Sequence, residues 1–156
     1  MSRIEDALSQ RGLSLPPVAT PAGAYVPALQ VGDQVLTSGQ LPLVDGKLPL
    51  TGPVGDAVTP EQAYDLAATC VLNALAAVKS VIGDLDRIER VVKVTGFVHS
   101  ASDFTGQPGV VNGASELLGE LFGEAGQHVR SAVGVNTLPL GTPVELELTV
   151  QVRSEA

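Results

Sequence analysis

A strict alternation near the C-terminus constrains the fold more than any other stretch. Val144, Leu146, Leu148, Val150 and Val152 alternate with Glu145, Glu147, Thr149 and Gln151. Successive strand side chains point to opposite faces, so this segment reads as a half-buried strand with one apolar and one polar face. A second strand precedes it. There Val129, Ser131, Val133 and Val135 share one face, leaving Arg130, Ala132 and Gly134 on the other. Arg130 is thus an arginine among small residues. Pro139 and Pro143 lie between the two strands and cannot donate to a ladder, so pairing must break there. The two strands are expected to be antiparallel neighbours.

The rest of the chain supplies helices to cover the apolar face. Ser2 and Glu5 have capping-box spacing and predict a short helix from Ile4 to Arg11, stopped by Gly12. Val26–Gln30 and Gln34–Ser38 read as strands around a Gly32-Asp33 turn. The stretch from Leu41 to Val58 holds Pro42, Gly46, Pro49, Gly52, Pro53 and Gly55 and reads as a long loop, a candidate functional or interface segment. Thr59, Pro60 and Gln62 open a helix whose apolar positions run from Ala63 to Val81 and stop at Gly83. Ile88–Val98 reads as a strand, with Val92, Val94 and Gly96 on one side and Val91, Lys93, Thr95 and Phe97 on the other. Pro108–Glu124 is a second long helix. The order is β-β-α-β-α-β-β after the N-terminal helix, an α+β arrangement of two layers. Residues 1–24 form an extension with its short helix, and residues 25–156 a single domain.

Composition weighs against several functions. The formal charge is -8 and only 3% of residues are aromatic, which argues against a nucleic-acid partner, since phosphates demand a basic patch and bases need rings to stack on. A lone cysteine, Cys70, makes no intrachain disulfide, and one cysteine with two histidines offers no metal-ligand spacing. The acids near Met1 do not suit a signal peptide, and the best apolar stretch is interrupted by Asn73 and bounded by Asp65 and Lys79. A cytoplasmic protein with no metal, cofactor or membrane segment is expected.

Thr37-Ser38-Gly39-Gln40, Asn112, the run Arg130-Ser131 through Val133, Val135, Leu138 and Pro139, and Glu145 together resemble the Rid family, the reactive intermediate deaminases also called YjgF-like proteins. The resemblance spans Tyr25 to Val152. It implies a fold like chorismate mutase of the trimeric type: a mixed sheet backed by two helices, three chains packed sheet to sheet, and active sites in the subunit clefts. It also implies hydrolysis of enamines and imines from amino-acid metabolism to 2-oxo acids and ammonia, without a cofactor. By position, Arg130 would hold the substrate carboxylate and Glu145 would activate water. Tyr25, Ser38, Gly39 and Asn112 would line the cleft.

Chemistry supports these roles independently. A guanidinium fork matches a carboxylate in two hydrogen bonds, and a carboxyl raised by a dry cleft can shuttle a proton near neutral pH. Two positions depart from the family's pattern: Ala132 stands where many relatives carry a cysteine or other small residue, and Gly134 where compact deaminases often carry a larger or acidic side chain, and both changes on the arginine's face imply a wider pocket.

Simpler roles compete. The competing role for Arg130 is a structural pair with Glu145 or Glu147 across strands. Glu145 shares a polar face with Glu147, Asn112 suits a helix start, and Tyr25 suits an interface. His99 and His128, at strand ends, read as exposed or packing histidines. Cys70 reads as core, and Glu116, Glu120 and Glu124 as a solvated helix face. The alternatives to a deaminase are a non-catalytic trimer binding small carboxylates and, against the acidic composition, an endoribonuclease.

Overall fold

The helices begin where their caps stand. In the computed structural model, which describes residues 1–154, the Ser2 hydroxyl accepts from the Glu5 amide and Glu5 reaches back to Ser2, opening α1 (Arg3–Gln10). Thr59 and Gln62 make the same reciprocal pair at the start of α2 (Pro60–Ile82). α3 (Gln107–Phe122) begins without a side-chain cap, carries Pro108 in its first turn, and runs on into a 3-10 turn at Gly123–Gly126.

Five strands follow the expected order: β1 (Ala28–Val31), β2 (Gln34–Thr37), β3 (Ile88–His99), β4 (Val129–Val135) and β5 (Val144–Val152). They form one mixed sheet in the order β1-β2-β5-β3-β4. Gly32, at a φ of 62°, turns the β1–β2 hairpin. All neighbours are antiparallel except β3 and β4, which are parallel. Parallel strands need a crossover, and α3 provides it.

The sheet order corrects one expectation. β4 and β5 are not neighbours, because β3 lies between them and pairs with both. The connection through Pro139 and Pro143 crosses the end of β3, where the His99 amide donates to the Pro143 carbonyl at 2.9 Å. A chain that must step over an intervening strand cannot form a hairpin, and prolines suit a segment with few ladder bonds to make.

The faces of β3 also differ from simple alternation. Val91, Val94, Gly96 and Val98 are all buried, whereas Val92 is only half-buried. The register against β5 slips between Ile88 and Arg90 and again between Val91 and Lys93. Each slip is a bulge that adds a residue and resets the period. Val91 thereby joins the helix side.

α2 and α3 cover one face of the sheet and enclose a core of Val, Leu, Ile and Ala, with Cys70 fully buried in it. The helices touch closely at Gly113, where a Cβ would fall 2.0 Å from the Tyr64 carbonyl oxygen. By length and composition alone α2 could cross a membrane, contrary to the reading of its sequence; its apolar surface is instead largely buried inside the fold. α1 packs on this layer through Ile4 and Leu8, both 1% exposed. Asp86 accepts from the amides of Arg3 and Ile4 at its N-terminus, Lys79 pairs with Glu5 at 2.5 Å, and Arg11 pairs with Glu120 at 3.0 Å. Glu120 is therefore a tether, and Glu116 accepts a hydrogen bond from Tyr64, so this helix face is only partly a solvated one.

The segment from Leu41 to Val58 forms no helix or strand, yet it is held in place. Gln40 exchanges two backbone hydrogen bonds with Leu146, the Val54 amide donates to His99, and Val54 and Val58 are fully buried.

Candidate functional site

Register decides which site residues can meet. Arg130 is level with Val94 on β3, and Val94 with Leu148 on β5. Residues level across a ladder share a face, and Val94 and Leu148 are buried under the helices. Arg130 therefore points to the helix side. Glu145 is level with Phe97, and Phe97 with Val133. Phe97 is three residues beyond Val94, so this row lies on the opposite, uncovered face. Glu147, level with Thr95, lies there too. Arg130 therefore pairs with neither acid, and the cross-strand ion pair considered from sequence does not form.

On the helix side, Arg130 sits at the edge of the sheet beneath α3. One guanidinium nitrogen, Nη1, donates to Ser115 Oγ at 3.1 Å, and Nη2 donates to the Pro108 carbonyl at 3.1 Å. Ser115 Oγ is 2.9 Å from His128 Nε2, and His128 Nδ1 is 2.7 Å from the Gly126 carbonyl. Asn112, Ser115, His128 and Arg130 line one open hollow of about 350 Å³. Asn112 thus shares a pocket with the arginine. Gly134 does not widen it: a Cβ there would fall 2.6 Å from the Gln107 amide nitrogen, which fills the space and donates to Ser100 Oγ and the Phe104 carbonyl. Ala132 packs against the core.

On the uncovered face, Glu145 lies against Gly39. A Cβ on Gly39 would sit 2.9 Å from the Glu145 carboxyl carbon, so glycine lets the carboxyl lie here without being pushed aside. Burial, and then the charge of Glu147, raises the Glu145 carboxyl above its ordinary range. The Ser38 hydroxyl donates to the Val26 carbonyl at 2.6 Å and its amide to Pro27, pinning the chain that leads into β1. Tyr25, 51% exposed, accepts from the Ala22 amide through its hydroxyl. Cys70 remains a core residue whose thiol is pushed up, by burial first and then by the Glu145 charge. Among the described residues no group of three or more His, Cys, Asp and Glu is placed to hold a metal ion.

Of the six residues expected from the sequence, Arg130 and Asn112 share one hollow, Glu145 and Gly39 meet on the other face with Ser38 next to Gly39 in the chain, and Tyr25 bonds to its chain neighbours Ala22 and Gly23. The hollow also brings in Ser115 and His128, which the family's motifs do not mark. Their signal was spacing. His128 stands two residues before Arg130, the spacing that would put it on the same face if the strand ran back through it, and Ser115 stands three after Asn112, hence on the same helix face.

Comparison with known proteins gives a consistent picture. Residues 5–150 match the family model described as "YjgF/chorismate mutase-like, putative endoribonuclease". The chain is 40% identical to "Protein TCP17" of Trypanosoma cruzi, over 97% of this chain and 96% of that one. It is 32% identical to a 2-iminobutanoate/2-iminopropanoate deaminase of Dermatophagoides farinae, over 90% and 95% of the two chains. A crystal structure of a protein of unknown function from Agrobacterium tumefaciens superposes with a TM-score of 0.91 at 41% identity, covering 97% of this chain and 93% of that one.

Proposed function

The chain belongs to the YjgF/chorismate mutase-like family, and on that premise we propose that it hydrolyses small 2-imino acids or their enamine tautomers to 2-oxo acids and ammonia, as a homotrimer. The observation that carries the proposal is the division of the site. Arg130 and Asn112 occupy a hollow on the helix side of the β4 edge, whereas Glu145 and Gly39 meet on the uncovered face. One chain holding both halves on opposite faces completes a site when the β4 edge of one copy meets the uncovered face of another. That face offers Leu29, Val31, Leu36, Val129 and Val133, all exposed, as an apolar contact surface.

In this reading two of Arg130's five N–H donors are held by Ser115 and Pro108, and the other three are left for a carboxylate. Water adds to the imine carbon, and Glu145 takes its proton, a task suited to a carboxylate whose proton affinity is raised. The carboxyl returns that proton to nitrogen, giving the carbinolamine, then takes the new hydroxyl's proton and passes it to the amine nitrogen. The C–N bond breaks, ammonia leaves, and the carbon–oxygen double bond of the 2-oxo acid forms.

The test is ammonia release from freshly generated 2-aminoacrylate, with sedimentation to read the assembly. Wild type should accelerate release and Arg130→Ala should not; equal rates for both would end the proposal. The endoribonuclease in the family's description is the second reading. It predicts cleavage of single-stranded RNA by purified protein that is lost in Arg130→Ala, and the -8 charge weighs against it.

A further inference from the structure

We propose that Ser115 and His128 are positioning residues that lock the Arg130 guanidinium through a one-way hydrogen-bond relay ending on the Gly126 carbonyl. This rests on Arg130 as the carboxylate anchor proposed above. Its geometry stands apart from that role.

A backbone carbonyl can only accept. The 2.7 Å contact between His128 Nδ1 and the Gly126 oxygen therefore places a hydrogen on Nδ1, and neutral imidazole then has a bare lone pair on Nε2. At 2.9 Å that lone pair takes the Ser115 hydroxyl hydrogen. Ser115 Oγ is left with only lone pairs to present, and it presents them to Arg130 Nη1 at 3.1 Å. Every donor in the chain Arg130, Ser115, His128, Gly126 points the same way, so each bond polarises the next. The Pro108 carbonyl holds Nη2, and with both nitrogens fixed the guanidinium plane has one orientation. Arg130 comes from β4, Ser115 and Pro108 from α3, Gly126 from the 3-10 turn after it, and His128 from the two-residue link between that turn and β4. A planar fork matches a planar carboxylate only when its own plane is set.

The relay makes histidine's two nitrogens unequal, and that decides the experiment. Gln mimics Nε2 and can accept from Ser115; Asn reaches only as far as Nδ1. Titration of 2-oxobutanoate into the full-length protein should show binding weakened about tenfold by Ser115→Ala, the scale of one hydrogen bond to a charged group. His128→Asn should weaken it equally, His128→Gln should stay near wild type, and Ser115→Ala with His128→Asn should be no worse than Ser115→Ala alone. In the deaminase assay Ser115→Ala and His128→Asn should raise KM and leave kcat in place, and His128→Gln should change neither. Two spectroscopic readouts need no ligand. Nitrogen-15 NMR at alkaline pH should show His128 protonated at Nδ1 and bare at Nε2, and rotation of the Arg130 guanidinium should be restricted in wild type and H128Q but free in S115A and H128N. The opposite tautomer, or a guanidinium that rotates equally in all four proteins, overturns the relay. So does wild-type binding by S115A when Arg130→Ala has lost it. Should Arg130→Ala itself bind 2-oxobutanoate like wild type, the functional reading falls, and the NMR readouts still decide the relay.

Discussion

The two faces of the sheet are built from the same strands and meet different fates. On the helix side, Val91, Val94, Val98, Leu146, Leu148 and Val150 are essentially inaccessible. On the other side, the row Leu29, Leu36, Thr149, Lys93, Val129 crosses all five strands, and its ends remain open, with Leu29 48% and Val129 66% exposed. One chain has enough helix to cover one face only. The catalytic candidates divide along the same line, Arg130 under α3 and Glu145, half-buried against Gly39, on the uncovered face. The uncovered face mixes exposed Leu29, Leu36 and Val129 with Glu147 and Lys93, and it is this face that the proposed trimer would cover.

That contrast can be broken from either side. The largest effect is expected from Arg130→Ala, which should lower kcat/KM for 2-aminoacrylate by roughly 100-fold or more, as loss of a charge-assisted fork does, with an unchanged melting temperature as the control. On the helix side, Gly113→Ala should cost about 2 to 3 kcal/mol in denaturant unfolding, because its Cβ would press on the Tyr64 backbone. On the open face, Leu36→Asp should leave the circular dichroism of the folded chain intact and shift sedimentation to a smaller species; an unaltered assembly would detach this face from oligomerisation.

A smaller and pH-dependent effect attaches to Glu145. Its carboxyl titrates higher folded than unfolded, by burial first and the Glu147 charge second. The folded chain therefore holds the extra proton in the range just above the ordinary carboxylate value, and stability falls as pH rises through that range. Glu145→Gln should thus be slightly more stable at neutral pH, by less than about 1 kcal/mol for a partly exposed group, and no different once the pH lies below both values. Glu147→Gln should move the acid limb of the rate profile to lower pH. The smallest effect is at α1: Lys79→Met should cost about 0.5 kcal/mol, typical of a surface pair. The Glu5 carboxyl, held low by the Lys79 hydrogen bond first and by Ser2 next, stabilises the fold above its ordinary value. That contribution is lost as pH falls through the depressed one.

Much of this was legible in the residues. The capping boxes at Ser2 and Thr59, the β1–β2 turn, the order of elements and the buried Cys70 each follow from short-range chemistry. Resemblance supplied Arg130, Glu145 and Asn112 as candidates. Three things were not legible. A sequence does not say which strand enters between β4 and β5, because pairing partners are chosen by the packing of α3 against the sheet. The bulges in β3 shift Val91 to the helix side, and alternation has no memory of an inserted residue. His128 looked like an isolated histidine until the 3-10 turn brought Gly126 under one nitrogen and α3 brought Ser115 to the other.

By itself the sequence determined the local elements: alternation gave β5 its two faces, caps and glycines set the helix ends, and an arginine among small residues marked a place of interest. Tertiary structure alone decided which face each residue occupies and who its neighbours are. The reason is that side-chain direction is set within a few residues, whereas strand order and register come from burying one face of the whole sheet at once. Arg130 and Glu145 were both visible as charges on strands. Only the sheet, with β3 between them, put them on opposite faces.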